Sequence, residues 1–268
     1  VALKRILATT AIRVKENALK NSWPKIVKWL VILAMPFFLG FNVVTLIVSP
    51  AYPTFEYAKD NFPPDPLGLT QDQRLDLALV AVRYLQKWDS AEDVIFMLEE
   101  QVLPDTGEPL YKASEIQHMI DVKVLTDTIR ILGIGAAVIV VGGLAALLWK
   151  PATRLIGYKA IFRGGLLTSA ILFAIAMFIL LAWSVFFVQF HELLFPPGSW
   201  TFFYTDGLIR LFPEKFWFDI GVLLSVSILL LGIGVTLLGY FLVKRNAEPK
   251  RNDTSRAARR RQARKSSQ

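Results

Sequence analysis

Two histidines are all that the 268-residue chain offers for acid–base work near neutral pH. His118 sits in Glu115-Ile116-Gln117-His118-Met119-Ile120-Asp121-Val122-Lys123. His191 follows 73 residues later, in Phe190-His191-Glu192-Leu193-Leu194-Phe195. An imidazole takes up or gives away a proton close to pH 7, so a convergent pair can act as base and acid in one reaction. Acid–base chemistry on a lipid suits such a pair at a bilayer surface. There is no cysteine, which removes thiol nucleophiles, disulfides and mixed His/Cys zinc sites. A metal site of two histidines and one carboxylate stays formally open through Asp121, Glu192 or Asp206. Ser114 and Ser199 are the candidate hydroxyl nucleophiles near the histidines, and neither stands in a GxSxG elbow.

The elements that must bring the histidines together are hydrophobic spans. The chain is 54% hydrophobic with a mean hydropathy of +0.44, which fits a polytopic membrane protein. A spanning helix needs about 20 mostly apolar residues. Four segments qualify: Val27–Val48, Ile131–Trp149, Leu166–Gln189 and Ile220–Val243. From Val31 onward in the first, and throughout the others, they contain no Asp, Glu, Lys or Arg. Ion-coupled pumps and transporters carry ionisable groups inside their spans, so this emptiness speaks against that class. The first span is too long, and lacks a small-x-small site after it, for a cleaved signal peptide.

Charge is segregated along the chain. Residues 1–28 hold seven Lys/Arg, and the tail after Val243 holds ten. The loop between the second and third spans adds Lys150, Arg154, Lys159 and Arg163. Residues 50–128 instead carry fifteen acidic residues against six basic ones. The positive-inside rule then predicts cytoplasmic termini, with 50–128 and 190–219 outside. The predicted order is a basic cytoplasmic segment (1–26), a span (27–49), an outer cap (50–129) and a second span (130–149). A basic cytoplasmic loop (150–165), a third span (166–190), an aromatic outer loop (191–218), a fourth span (219–243) and a disordered basic tail (244–268) follow. Both histidines fall on the outer side. The basic tail reads as a topology signal near anionic lipid rather than a nucleic-acid site.

The outer segments have local signals of their own. Thr70-x-x-Gln73 predicts a capping box that opens a helix, with Leu75, Leu79, Val82 and Leu85 at helical spacing through Trp88. Ser90-x-x-Asp93 resembles a second start, and Ser114-x-x-Gln117 a third that runs into the second span. Val94–Leu98 fits strand or helix, and Pro104–Pro109 is a turn. Glu115, His118 and Asp121 lie three apart, which places the imidazole between two carboxylates on one helix face. Thr205–Phe212 predicts a short interfacial helix capped by Thr205 or Asp206, with Arg210 toward lipid headgroups. Trp200, Phe202 and Tyr204 read first as interface anchors, with a substrate wall as the alternative. The glycine pairs Gly133/Gly135, Gly142/Gly143 and Gly232/Gly234 predict close helix packing rather than phosphate binding.

Three stretches together resemble a known family. They are Glu115-x-x-His118-Met119-x-Asp121-Val122-Lys123, the run from Phe190-His191-Glu192 through Gly198-x-Trp200, Asp206 and Leu211-Phe212-Pro213 to Phe216-Trp217, and Leu67-Gly68-Leu69-Thr70-x-x-x-Arg74-Leu75. Over most of residues 25–243 the chain resembles the bacterial four-span membrane proteins of the lipoprotein intramolecular transacylase (Lit) family. The resemblance implies movement of the sn-2 acyl chain of a diacylglyceryl lipoprotein onto the α-amino group of its N-terminal cysteine, which leaves a lyso-form lipoprotein. It implies a bacterial cytoplasmic membrane location, an extracytoplasmic site, lipoprotein and lipid as partners, and catalysis by His118 and His191.

On this reading the fold is an all-α polytopic protein of four spans with a small, mostly helical cap, and the chemistry needs no cofactor. His191 is expected as base because its surroundings are greasy, and His118 as acid or oxyanion partner beside Glu115 and Asp121. Asp121 is expected to orient His118. Glu115, Arg130, Trp200, Asp206 and Arg210 are expected around the substrate. The competing readings are a non-enzymatic membrane scaffold that binds a partner through residues 50–128, and a lipid ester hydrolase.

Overall fold

The computed structural model describes the backbone of residues 2–247 and the side chains of residues 22–246. The expectation of a disordered tail beyond residue 247 lies outside the described residues. The described chain is all-α. Its helices are α1 (Ala2–Ile47), α2 (Ala51–Tyr57), α3 (Gln71–Gln86), α4 (Ala91–Val94), α5 (Phe96–Glu99), α6 (Ala113–Trp149), α7 (Pro151–Leu181), α8 (Trp183–Leu194), α9 (Gly207–Leu211) and α10 (Glu214–Ala247). Among the described residues the only β-type pairing is one isolated antiparallel bridge, Val102 with Pro109.

Four helices are long and apolar enough to cross a membrane: Ser22–Ile47 of α1, then α6, α7 and Glu214–Asn246 of α10. Between 17% and 33% of their most apolar windows is buried inside the protein, so the rest of that surface needs lipid. Helix α6 has 37 residues, roughly 55 Å at 1.5 Å per residue. A hydrocarbon core is about 30 Å thick. The charge-free stretch from Ile131 is by itself long enough to cross that core, so the helix exceeds what a span requires by the segment Ala113–Arg130 that carries His118.

The third span is interrupted. Helix α7 stops at Leu181, Ala182 adopts φ −148°, ψ 53°, and α8 starts afresh at Trp183. Ala182 N–H still donates to Phe178 O, and Phe186 N–H to Ala182 O, both at 2.9 Å. The break is therefore hydrogen-bonded through, and neither glycine nor proline announces it.

The chain divides into two compact units. Among the described residues the first comprises 2–36, 136–169 and 230–247. Its helices touch through glycines: a Cβ at Gly165 would stand 2.6 Å from Thr236 N, and one at Gly143 would stand 2.7 Å from a Val31 methyl. Gly232 packs on Ser169 in the same way, whereas Gly142 and Gly234 face open space. Close packing thus holds for one member of each of these pairs.

The second unit comprises residues 37–135 and 170–229. Thr70 forms its expected capping box with Gln73 and starts α3. The buried stripe of α3 is Arg74, Ala78, Ala81, Val82 and Tyr84. Small alanines let the helix sit close to its neighbours, and the larger Leu75 and Leu85 pack at the margin. Ser90 caps α4 as expected. Val94–Leu98 is helical, and the turn at Pro104–Pro109 closes on Gly107 at φ 70°. The third start differs from expectation. Helix α6 begins at Ala113, one residue before Ser114, and Lys112 N–H donates to Glu115 Oε2 at 2.9 Å. The carboxylate three residues on performs the cap.

The cap core consists of Tyr52, Tyr57, Phe62, Tyr84, Leu98, Tyr111 and Met119 together with Leu208, Leu211, Phe212 and Phe216. Helix α9 packs into the cap core, and it is five residues long. Its apolar face is covered by the cap, while Phe203 and Tyr204 ahead of it stay exposed.

Candidate functional site

Both histidines lie in the second unit, His118 on α6 and His191 on α8. Their ring centroids are 6.5 Å apart, at 29° between planes. His118 is 8% exposed. Its ring packs against Phe195 at 4.9 Å and Phe202 at 5.4 Å. His191 is enclosed by Phe187 at 4.1 Å, Trp200 at 4.9 Å and Phe195 at 5.7 Å. Both line a cavity of about 140 Å³ whose other walls include Tyr52, Val82, Met119, Phe212 and Trp217.

The two rings differ in hydrogen bonding. His191 Nδ1 is 2.7 Å from Phe187 O, one helical turn back. A carbonyl only accepts, so Nδ1 carries the proton and Nε2 keeps its lone pair. Burial pushes the His191 imidazole below its ordinary value, and the Phe187 carbonyl offsets part of that. His118 Nδ1 is buried and has no partner among the described residues. The Trp200 indole Nε1 is in the same state.

A set of polar links, most of them buried, ties together the elements around the cavity. Glu115 Oε1 accepts from Leu208 N–H at 2.7 Å, which ties the start of α6 to α9. Arg74 Nε donates to Arg210 O at 2.9 Å and Nη1 to Pro63 O at 2.7 Å. Arg210 pairs with Asp65 through Nε at 3.0 Å and Nη2 at 2.9 Å. Lys112 pairs with Asp206, whose other oxygen accepts from Phe203 N–H at 3.0 Å.

These links revise several expectations. Glu115 does not flank the imidazole, because both its oxygens are spent on backbone N–H groups of Lys112 and Leu208. Asp121 accepts from Gln117 Nε2 at 3.3 Å and makes no hydrogen bond to His118. Arg210 is buried against Asp65 and does not face headgroups. Arg130 donates to Leu85 O and Lys87 O and pairs with Asp127, so it braces α6 against the end of α3. Asp206 stands at the N-terminus of α9 without capping it through its side chain. Of the five residues expected around substrate, Trp200 alone lines the cavity. Ser199 Oγ donates to Pro196 O at 2.9 Å. Among the described residues no three His, Asp or Glu side chains converge as a metal site. The sequence reading missed Asp65 and the structural use of Arg74. Arg74 had one signal: a charged residue on the same helix stripe as Ala78 and Ala81.

The fold and site define a multi-pass integral membrane protein with two histidines facing each other in an apolar cavity at a helical cap. The sequence pattern of the family described as "Lipoprotein intramolecular transacylase Lit" matches residues 28–217. The chain belongs to that family, and membership assigns it an acyltransferase-type role. An uncharacterized protein of Aquifex aeolicus (strain VF5) is 25% identical over 217 residues, covering 80% of this chain and 94% of the relative. The in meso structure of the membrane integral transacylase Lit from Bacillus cereus superposes with a TM-score of 0.55 at 22% identity, over 84% of this chain and 98% of that one. A variant of that enzyme with one histidine replaced by arginine gives 0.54 at 20% identity, over 87% and 97%. At these identities the structural likeness establishes the fold.

Proposed function

We propose that this protein moves the sn-2 acyl chain of a diacylglyceryl lipoprotein onto the α-amino group of the lipoprotein's N-terminal cysteine, at the extracytoplasmic face of a bacterial cytoplasmic membrane. The charge bias along the sequence supports that orientation. The observation that carries the reading is the facing histidine pair, with one Nε2 left free by a hydrogen bond that fixes the tautomer.

The amine nitrogen attacks the ester carbonyl carbon, and His191 Nε2 takes the proton the amine gives up. A C–N bond forms and the carbonyl electrons move to oxygen. When that centre collapses, the bond to the sn-2 oxygen breaks and the freed glycerol oxygen takes the proton held by His191. His118, which burial and the neighbouring His191 push down to about 4, stays neutral and orients that oxygen instead of acting as the expected imidazolium acid. One proton has moved from nitrogen to oxygen by way of His191, and both rings end neutral as they began. At 6.5 Å and an effective dielectric of about 20, a second positive charge costs about 2.5 kcal/mol, so the pair resists double protonation. Asp121, without a hydrogen bond to the ring, acts on His118 through its field only. The cavity fixes ester and amine of one molecule together, and proximity supplies a large share of the acceleration.

The test is co-expression with a diacyl lipoprotein in a bacterium that lacks N-acylation, followed by mass spectrometry of the N-terminal lipopeptide. An N-acyl, monoacylglyceryl product is expected, with a roughly 10²–10⁴-fold loss of rate in His118→Ala and in His191→Ala. An unchanged diacyl lipopeptide, with the protein present in the membrane, would sink the reading.

A further inference from the structure

The indole of Trp200 has a property that an interface anchor does not need. Its Nε1–H is buried with no acceptor among the described residues, although its ring lies over His191 at 4.9 Å and 32°. Tryptophans at a membrane interface point that donor to water or headgroups. A buried donor without an acceptor is costly, and structures keep one where something absent from the free protein completes it. Trp217, also on the cavity wall, shows the contrast: its Nε1–H donates to Phe212 O at 3.0 Å.

We propose that Trp200 is a catalytic residue whose indole N–H donates to the sn-2 ester carbonyl oxygen, and more strongly to the oxyanion that replaces it. This rests on the transacylase reading and deepens it by assigning a group to that oxygen. The placement follows from chemistry. His191 must meet the amine at the moment it joins the carbonyl carbon, so the carbonyl oxygen develops its charge one bond from the reacting centre. The indole tilted beside His191 at 4.9 Å is a neutral donor on the cavity wall with no partner among the described residues. His191 handles the proton, and a donor that never titrates is suited to hold the oxygen throughout. The two buried arginines of the cap are not available, because Arg210 and Arg74 are spent on Asp65 and on carbonyls. The other buried, unpartnered nitrogen among the cavity-lining residues is His118 Nδ1, left for the leaving oxygen.

The experiment compares wild type with Trp200→Phe, which keeps an aromatic ring against His191 and removes the N–H. Two probes are synthetic diacylglyceryl-cysteine dipeptides. In one the sn-2 ester is an alkylphosphonate, which carries a tetrahedral anionic oxygen; in the other it is an ether with no such oxygen. Binding is measured in micelles beside turnover of the true ester. The N–H is expected to be worth about 100-fold in phosphonate affinity and in kcat. Ether affinity and KM are expected to stay within about threefold, and the pH profile is expected to be unmoved. Equal loss of both probes, with a lowered melting midpoint, would mean that Trp200 only packs. Retention of the phosphonate by the Phe variant would overturn the assignment outright. Failure of the wild type to turn over the ester would instead overturn the transacylase reading beneath it.

Discussion

Asp65→Asn isolates the link that holds α9 against the cap. The Asp65 side chain is buried although the residue as a whole is only half-buried, and its carboxylate accepts from Arg210 Nε at 3.0 Å, Arg210 Nη2 at 2.9 Å, Leu67 N–H at 3.1 Å and Leu69 N–H at 2.9 Å. Asparagine keeps the size and one oxygen for the two backbone donors, but turns an NH₂ toward the guanidinium. Arg210, itself 5% exposed, is left as an uncompensated buried charge. Breaking such a pair costs about 3–5 kcal/mol, whereas an exposed pair is worth about 0–1 kcal/mol. Burial alone would raise the Asp65 carboxyl, but the Arg210 guanidinium and the Leu69 and Leu67 N–H groups outweigh it and hold it below the usual carboxylate range. A carboxyl depressed on folding stabilises above its unfolded value of about 3.9 and stops doing so as pH falls through the folded one. The wild-type advantage over Asp65→Asn should therefore be flat from about pH 5 to 8 and shrink below about pH 4. Unfolding in mixed micelles, followed by tryptophan fluorescence, measures this, with exposed Asp89→Asn as the control. A loss under about 1 kcal/mol at pH 7 would show that the pair behaves as if solvated. An advantage undiminished at pH 3 would show that the carboxylate charge is not its source.

Two more perturbations read different parts of the site. With two histidines in the chain, ¹³C-histidine labelling of the untagged protein yields two assignable signals. The His191 signal should titrate below about 6.5, since burial disfavours its cation; a midpoint at or above that value contradicts the buried, tautomer-fixed description. Gly207→Ala drives a Cβ into the Leu110 carbonyl oxygen, which as backbone cannot yield, and should cost about 1–3 kcal/mol by thermal or chemical unfolding. Gly234→Ala, with open space around it, should be neutral or stabilising, and equal losses in the two would refute the packing argument.

What the sequence made legible was local. Apolar runs of span length, Thr70 with Gln73, Ser90 with Asp93 and the Pro104–Pro109 turn are fixed by neighbours within a few residues, and each appears where those neighbours require. What was not legible depends on distant partners. Nothing near Arg210 says that Asp65, 145 residues earlier, will neutralise it. Helical spacing put Glu115 beside His118, but spacing fixes a face and not the direction of a carboxylate that two backbone N–H groups claim first. The Ala182 break escaped because Ala182 and Trp183 carry no turn chemistry, and tertiary packing chose the site.

The separation of these partners bears on how the protein is made. Asp65, Arg74 and Glu115 are synthesised long before Leu208 and Arg210, which lie 93 to 145 residues later. Until then these three charged side chains have only their local partners, Leu67 and Leu69 N–H, Pro63 O and Lys112 N–H, so the cap cannot close on itself. Contacts of such long range are slow to form, and exposed surface waits meanwhile for a partner. The histidine cavity is completed only when the last loop before α10 arrives. A chain truncated before that loop should fold its early helices yet remain a substrate for membrane quality control. The cap and the late loop must be inherited, moved or redesigned as one piece.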